Sequence, residues 1–230
     1  MTERPLCVDL DGTLCRSDTL VEALLVLLKR APWRLLWLPL WLLRGRAAFK
    51  QRVTRAAFDA GFSVAQLPWQ VELLDWLRSE AAHGRPLVLA TGADAAIADA
   101  VAEHCGLFGR VFASDGHCNL TGPRKAAALV AAYGEQGFDY AGNERLDVTV
   151  WRHARAAVVA AATPRLLRAA AAVTPVVRQF APPEGTSFSD WLKALRAHQW
   201  VKNLLVVLPL GLSHQLSAAG SMATLLAFVA

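Results

Sequence analysis

Short apolar segments alternate with longer segments of helical periodicity along most of the chain. Residues 6–10 are apolar except for Asp9 and lie between Pro5 and Gly12, a pattern typical of a short buried strand. Similar segments predict four more strands, at residues 86–91, 111–114, 138–141 and 156–161. Because helical segments separate these strands, the pattern predicts an α/β fold with a parallel sheet.

Helical periodicity extends over residues 18–55, and further helices are predicted at residues 67–85, 93–105, 123–133 and 164–173. Within the first segment, Trp33, Trp37 and Trp41 recur every four residues and are expected on one helix face. The apolar run 33–43 contains an arginine and a proline and is shorter than the roughly 20 residues that span a bilayer. This run is expected to enter a membrane interface or to pack within an ordinary helical cap, and the two interpretations are compatible.

The composition is apolar for a soluble protein of 230 residues, since 54% of the residues are hydrophobic and 19% are charged. Some apolar surface is therefore expected to face lipid. The net charge of +5 and the pI near 9.3 fit a nucleic-acid binder and an anionic membrane surface equally well until the charges are located.

The basic residues concentrate between Glu22 and Asp59, where every charged side chain is positive: Lys29, Arg30, Arg34, Arg44, Arg46, Lys50, Arg52 and Arg55. Tryptophans with basic neighbours are typical of segments attracted to an anionic membrane. A nucleic-acid site is less favoured, because the aromatic residues lie among aliphatic ones. We therefore expect a membrane as partner and no nucleic acid, and the sequence does not indicate an oligomeric state.

The four cysteines are scattered, with neither a CxxC pair nor the spacing of a zinc site: Cys7, Cys15, Cys105 and Cys118. They are expected to be free thiols in a reducing compartment. No long apolar run precedes the first strand, so no signal peptide is predicted. The first domain is expected in the cytoplasm.

Two carboxylates, Asp9 and Asp11, lie at the carboxyl end of the first predicted strand. Open parallel sheets bind ligands just beyond this end of their strands. Carboxylates so close together repel each other unless a cation or a proton intervenes, and a hard oxygen site of this kind suits Mg²⁺. The segment Asp9-Leu10-Asp11-Gly12-Thr13 resembles the first motif, DxDGT, of the haloacid dehalogenase (HAD) superfamily.

That resemblance implies a chemistry and further motif positions. It makes Asp9 the nucleophile that attacks phosphorus and Asp11 the general acid and base. The second motif, a Ser or Thr at a strand end, falls on Thr91, although a threonine there also fits a helix cap. The third motif, a lysine at the start of a helix, falls on Lys125, with Arg124 as the fallback. The implied phosphate-binding residues are Gly12, Thr13, Thr91, Gly92 and Lys125.

The fourth motif position departs from the family pattern. The family has an acidic pair such as GDxxxD, whereas this chain has Asn143 and Asp147. An asparagine offers a neutral carbonyl oxygen, which is a weaker ligand for a hard cation than a carboxylate. The implied Mg²⁺ site consists of Asp9, Asp11, Asn143 and Asp147, and which of the last two binds the metal directly stays open.

The resemblance implies a HAD-like, Rossmannoid parallel sheet over residues 1–180, with a helical cap inserted at about 14–85. Residues 181–190 are expected to be a linker rich in Pro, Gly and Ser. Beyond it, the string LRAHQWVKNLLVVLPL resembles the amino-terminal edge of the UbiA family of membrane prenyltransferases. Residues 191–230 are therefore expected to start an all-α transmembrane domain from the cytoplasmic side. The aspartate-rich motifs of that family would lie further on and are absent here, so residues 191–230 are expected to be the incomplete start of a fused prenyltransferase, from which no prenyl transfer is expected. A bare membrane anchor is the alternative.

These features predict a Mg²⁺-dependent phosphatase that forms an aspartyl phosphate on a phosphate ester at the cytoplasmic face of the cell membrane. One branch of the UbiA family moves phosphoribosyl groups onto polyprenyl phosphate, which implies a polyprenyl-linked sugar phosphate as substrate. Two alternatives stay open. One is a regulatory or membrane-docking module that binds a phosphorylated ligand for a fused prenyltransferase, which Asn143 favours. The other is a phosphotransferase that uses the same aspartyl phosphate.

Overall fold

The computed structural model of the protein describes residues 4–181. Its centre is a six-stranded sheet with the order β3-β2-β1-β4-β5-β6, in which all neighbours are parallel. The strands are β1 Leu6–Val8, β2 Leu87–Asp94, β3 Arg110–Ser114, β4 Asp139–Gly142, β5 Ala157–Val159 and β6 Val176–Gln179. The strand order reverses on the two sides of β1, so the crevice beyond β1 is the topological switch point where such sheets bind ligands.

Both faces of the sheet are covered. Leu6 and Val8 belong to one hydrophobic cluster, whereas Cys7 between them belongs to a second cluster on the opposite face. Four helices follow β2 in chain order: α5 Ala95–Cys105, α6 Pro123–Tyr133, α7 Val148–Trp151 and α8 Pro164–Ala171. Burial on both faces explains why the central strands are nearly continuous apolar runs without strict alternation.

Four helices lie between β1 and β2: α1 Thr19–Arg30, α2 Leu38–Leu42, α3 Arg46–Asp59 and α4 Val71–Ala82. The helical pattern predicted over residues 18–55 is therefore broken, and a 3₁₀ helix at Pro32–Trp37 joins α1 to α2. Pro32 and Pro39 interrupt the backbone hydrogen-bond series, and Gly45 adopts a φ of +92° before α3. The first turn predicted for α4 is likewise absent, because Pro68 disfavours helical backbone at the residue before it.

The sixth strand was not predicted. β6 is an edge strand whose outer residues are exposed, and it includes Arg178, whose guanidinium lies over the ring of Trp76. An exposed edge strand lacks the buried apolar run by which the other strands were recognised. Within residues 4–181, no helix has both the length and the apolar character that a bilayer crossing needs. The predicted linker beyond residue 181 and the predicted transmembrane start at 191–230 lie outside the described residues.

Candidate active site

The nucleophile predicted at Asp9 lies immediately beyond β1, with its carboxylate almost entirely buried. Its amide donates to the carbonyl of Ala141 in β4 over 3.0 Å, which continues the pairing of β1 with β4. Its Oδ1 lies 2.9 Å from Nζ of Lys125 and accepts the amide of Leu10, also at 2.9 Å. The carboxylate is therefore held in one orientation by a buried cation and by its own loop.

Asp11 is held by the first turn of the cap. The amide of Thr19, the first residue of α1, donates to Asp11 Oδ1 over 2.8 Å. The pKa of Asp11 is raised from 3.8 to about 6, mainly by burial. The hydrogen bond from Thr19 lowers the pKa, and the neighbouring carboxylates of Asp18 and Asp9 contribute to the increase. A carboxyl group with this pKa holds and releases a proton near neutral pH, which is what a general acid and base must do.

Gly12 gives the chain the turn that follows Asp11. Its φ of +70° is in the left-handed region, where a side chain would be strained. A Cβ at this position would also collide with the side chain of Asn143. Thr13 is buried, and its hydroxyl donates to Asn143 Oδ1 over 2.9 Å. The DxDGT segment is thus joined directly to the loop after β4 that contains Asn143.

Lys125 lies in the first turn of α6 and is 3% exposed. Besides Asp9, its ammonium contacts the phenol of Tyr140, to which it donates over 2.8 Å. Burial by itself lowers the pKa of Lys125, but the carboxylates of Asp9 and Asp147 outweigh it, so the net pKa is raised. Lys125 is therefore charged where it meets Asp9, whereas Arg124 does not line the pocket.

Asp147 organises the loop after β4. Its Oδ2 accepts the amides of Asn143 and Glu144 over 2.9 and 3.0 Å, and its Oδ1 accepts the hydroxyl of Tyr140 over 2.9 Å. The pKa of Asp147 is raised to about 6, first by burial and then by the charge of Asp9, while Lys125 and the two backbone hydrogen bonds oppose the increase. With three hydrogen bonds made inside the protein, Asp147 positions the loop, and Asn143, Glu144, Leu146 and Asp147 of this loop line the pocket.

Thr91 lies inside its strand and outside the pocket lining, whereas the prediction put it at the strand end. It lies within β2 and is fully buried, and its hydroxyl accepts the amide of Ala93 over 3.0 Å. Gly92, the next residue, does line the pocket. Accepting one hydrogen bond leaves the O–H of Thr91 able to donate.

The pocket at the switch point has a volume of about 320 Å³. It is lined by most of the predicted site residues, namely Asp9, Asp11, Gly12, Gly92, Lys125, Asn143 and Asp147, whereas Thr13 and Thr91 are not part of its lining. Lys50 of α3 also reaches it, donating to the carbonyl of Gly92 over 2.7 Å and to Asn119 Oδ1 over 3.1 Å. Arg16 lines it as well.

Sequence reasoning missed Lys50 and Tyr140 as site residues. Lys50 is one of many basic residues in the cap, and only the packing of α3 against the sheet brings it to Gly92. A signal for Tyr140 did exist, since a tyrosine in a strand that is buried on both faces needs a partner for its hydroxyl.

The predicted Mg²⁺ can be tested against the donors that line the pocket. No group of three or more His, Cys, Asp or Glu side chains within residues 4–181 is arranged to hold a metal ion. The residues with oxygen donors that line the pocket include Asp9, Asp11, Asn143 and Asp147. Such all-oxygen donors fit Mg²⁺, which keeps several waters and uses one or two carboxylates together with substrate phosphate.

Comparison with known proteins identifies the fold. No protein-family model matches the chain. An uncharacterized protein of Sinorhizobium fredii is 35% identical over 207 residues, which cover 90% of this chain and 39% of that protein. The chain thus spans well under half the length of this relative.

Several solved structures are similar to this one over most of the described chain. A protein of unknown function from Bordetella pertussis gives a TM-score of 0.57 at 18% identity, covering 76% of this chain and 99% of the other. A HAD family hydrolase from Salmonella enterica gives 0.54 at 14% identity, covering 76% and 66%. A substrate-bound phosphoserine phosphatase gives 0.54 at 12% identity, covering 84% and 99%. The fold is therefore that of the HAD-like hydrolases, which confirms the predicted parallel-sheet α/β class.

Proposed function

We propose that this protein is a phosphatase that hydrolyses a phosphate monoester through an aspartyl phosphate on Asp9. The observation that carries the proposal is the single pocket, at the switch point of a HAD-like sheet, that combines Asp9 paired to Lys125 at 2.9 Å with Asp11. A carboxylate nucleophile, a buried cation and a second carboxyl group with a pKa of about 6 are the parts that this two-step reaction requires.

In the first step, a carboxylate oxygen of Asp9 forms a bond to phosphorus while the bond from phosphorus to the ester oxygen breaks. Asp11 gives its proton to the departing alkoxide. In the second step, Asp11 takes a proton from a water molecule whose oxygen attacks the phosphorus, and the bond to Asp9 breaks to release inorganic phosphate. Dividing the reaction in this way replaces one difficult displacement by two easier ones.

Lys125 stabilises the negative charge of the phosphoryl oxygens as it develops, because a buried cation acts strongly where little water screens it. Gly12 and Gly92 line the pocket that receives these oxygens. Thr91 is buried next to Gly92 in the chain, and we assign its free O–H to a phosphoryl oxygen when the substrate is bound. Asp9, the backbone carbonyl of Asp11 and Asn143 would hold Mg²⁺. When bound, Mg²⁺ supplies charge neutralisation for the phosphoryl group.

Asp9→Asn tests the proposal. We expect the Mg²⁺-dependent release of phosphate from a panel of esters to fall to background, because an amide cannot form the aspartyl phosphate. Mass spectrometry of the wild-type protein quenched in acid is expected to detect phosphate on Asp9. The matched control is Asp115→Asn on an exposed loop, which should keep full activity. An Asp9→Asn variant that is folded and as active as the wild type would show that the assignment is wrong.

We propose further that the substrate is lipid-linked, with a polyprenyl-linked sugar phosphate as the class, and that the enzyme works at the cytoplasmic face of the cell membrane. The exposed tryptophans of the cap support this, as does the resemblance of residues 191–230 to a membrane prenyltransferase, which is a sequence argument only. A lipid phosphate presented in vesicles should release phosphate faster than a soluble ester of the same sugar phosphate. A preference for the soluble ester would refute this substrate class.

A second candidate function is a module that binds a phosphorylated ligand without turning it over. Asn143 favours it, because a neutral amide in place of the family's carboxylate weakens the metal site. Calorimetric titration with a nonhydrolysable phosphonate, run beside the activity assay, separates the two functions. Tight binding together with phosphate release at background in saturating Mg²⁺ would favour the binding module.

A further inference from the structure

The cap exposes a concentrated set of large apolar side chains. Nine of the twelve exposed large hydrophobic residues within residues 4–181 lie between positions 21 and 43. We call them the cap apolar face: Val21, Leu25, Leu28, Trp33, Leu36, Trp37, Leu40, Leu42 and Leu43. Leu36 and Leu43 are the most exposed of them, at 81% and 83%. Single exposed apolar residues are ordinary on a protein surface, but a concentration of this size marks an interaction site.

The cap apolar face is additional to the surface that packs the cap. In α1, Thr19, Ala23 and Leu27 are buried and supply the stripe that faces the core. Val21, Leu25 and Leu28 lie at the spacing of a second stripe on the same helix, and it is exposed. A helix of a soluble domain needs only one apolar stripe to pack. The second stripe therefore requires a partner.

Most of the charges around the cap apolar face are positive. No acidic residue occurs between Glu22 and Asp59, whereas eight basic residues do. Those that are exposed, and so available to a partner, are Lys29, Arg30, Arg44, Arg46 and Arg55. Arg44 and Arg46 directly follow the apolar Leu42 and Leu43. Basic side chains attached to an exposed apolar surface are complementary to an anionic lipid headgroup layer over acyl chains.

A groove of about 450 Å³ lies beside this face and is lined by Trp33, Trp37 and Trp41, together with Arg34, Arg52, Arg55, Ala56 and Asp59. Asp59 is paired with Arg34 at 3.1 Å, which leaves Arg52 and Arg55 as the further positive charges of the groove. Indole rings with adjacent guanidinium groups suit the headgroup region of a bilayer, where one end of the side chain is apolar and the other is hydrated. The tryptophans share this groove even though the predicted continuous helix is broken.

We propose that the cap apolar face docks on an anionic bilayer surface and is the element that brings the pocket to its lipid-linked substrate. The role of docking in delivering the substrate rests on the proposed function, but membrane binding by this face does not. The leucines and tryptophans enter the interface, and the flanking arginines and lysines contact acidic headgroups. A protein partner fits less well, because the exposed charges beside this face are almost all positive, which matches a uniformly anionic lipid surface.

Vesicle flotation of the complete chain tests the proposal, with neutral phosphatidylcholine vesicles and vesicles that also contain phosphatidylglycerol. The wild type is expected to bind the anionic vesicles. Leu36→Asp combined with Leu43→Asp should weaken binding on the order of tenfold or more, because two apolar side chains leave the interface. The matched control is Val71→Asp combined with Val177→Asp, which alters exposed apolar residues elsewhere and should leave binding unchanged. Both double variants keep the rest of the chain, so any membrane affinity of other segments contributes equally to the two and cancels in the comparison.

Charge is tested separately with Arg44→Gln and Arg46→Gln, each of which should weaken binding to the anionic vesicles about fivefold. The Asp9→Asn protein should bind like the wild type, so that loss of catalysis and loss of docking are distinguishable. Equal binding by the Leu36/Leu43 double variant and the wild type would overturn the proposal. So would a wild type that is dimeric without vesicles and becomes monomeric in the double variant, because the face would then join two copies of the chain.

Discussion

Tyr140→Phe isolates the contribution of the hydroxyl that links Lys125 to the loop after β4. The phenol lies between two charged groups, accepting from Lys125 Nζ at 2.8 Å and donating to Asp147 Oδ1 at 2.9 Å. Burial raises the pKa of Tyr140 well above its ordinary value, so the hydroxyl keeps its proton over the working pH range. The substitution removes both hydrogen bonds and leaves the ring in place.

The expected cost follows from these two contacts. A hydrogen bond to a charged group contributes about 1.5–3 kcal/mol. Lys125 keeps its contact with Asp9, and Asp147 keeps two backbone amides, so neither charge loses all of its partners. We therefore expect the free energy of unfolding to fall by about 2–4 kcal/mol, a large part of the stability of a domain this size. We also expect kcat to fall on the order of tenfold with little change in KM, because Tyr140 positions Lys125 without touching the substrate.

Urea unfolding followed by circular dichroism measures the first quantity, and steady-state phosphate release measures the second. Tyr133→Phe is the matched control, since the same atom is removed from a partly exposed ring outside the pocket. It should change stability by less than about 0.5 kcal/mol. If Tyr140→Phe and Tyr133→Phe gave the same unfolding midpoint and the same kcat, the hydroxyl would not support the site and the reasoning would be refuted.

Three further substitutions have defined outcomes. Asn143→Asp should lower the Mg²⁺ concentration for half-maximal activity on the order of tenfold, since a carboxylate binds the cation more strongly; an unchanged Mg²⁺ dependence would remove Asn143 from the metal site. Thr91→Val should lower kcat/KM on the order of 10-fold or more and the free energy of unfolding by about 1 kcal/mol. Thr91→Ser should restore both, and wild-type kinetics for the valine variant would exclude a phosphate contact. Asp11→Asn should raise stability in metal-free buffer at high pH. Because burial raises the folded-state pKa of Asp11 from 3.8 to about 6, stability is lost as the pH rises through this interval. The variant avoids that loss and should be more stable by about 1–2 kcal/mol near pH 8 but not below about pH 4, and an equal difference at both pH values would contradict the titration.

The sequence by itself determined the α/β class and the order of five of the six strands. Five of the six strands follow from apolar runs, because burial on both faces of the sheet makes those segments continuous in hydrophobicity. The DxDGT segment and the lysine at the start of α6 are readable for a similar reason, since strand ends and helix starts are local features. A parallel sheet then brings Asp9, Asp11 and Asn143 to one edge, because every strand ends on the same side.

Only the tertiary structure decided which side chains meet there. It placed the hydroxyl of Tyr140 between Lys125 and Asp147, and it brought Lys50 from the cap to Gly92, contacts that join residues 15 and 42 positions apart in sequence. It also showed that the second apolar stripe of α1 is left uncovered by the rest of the described chain. Periodicity reports which side of an element is apolar, but what that side touches depends on how elements distant in sequence pack together.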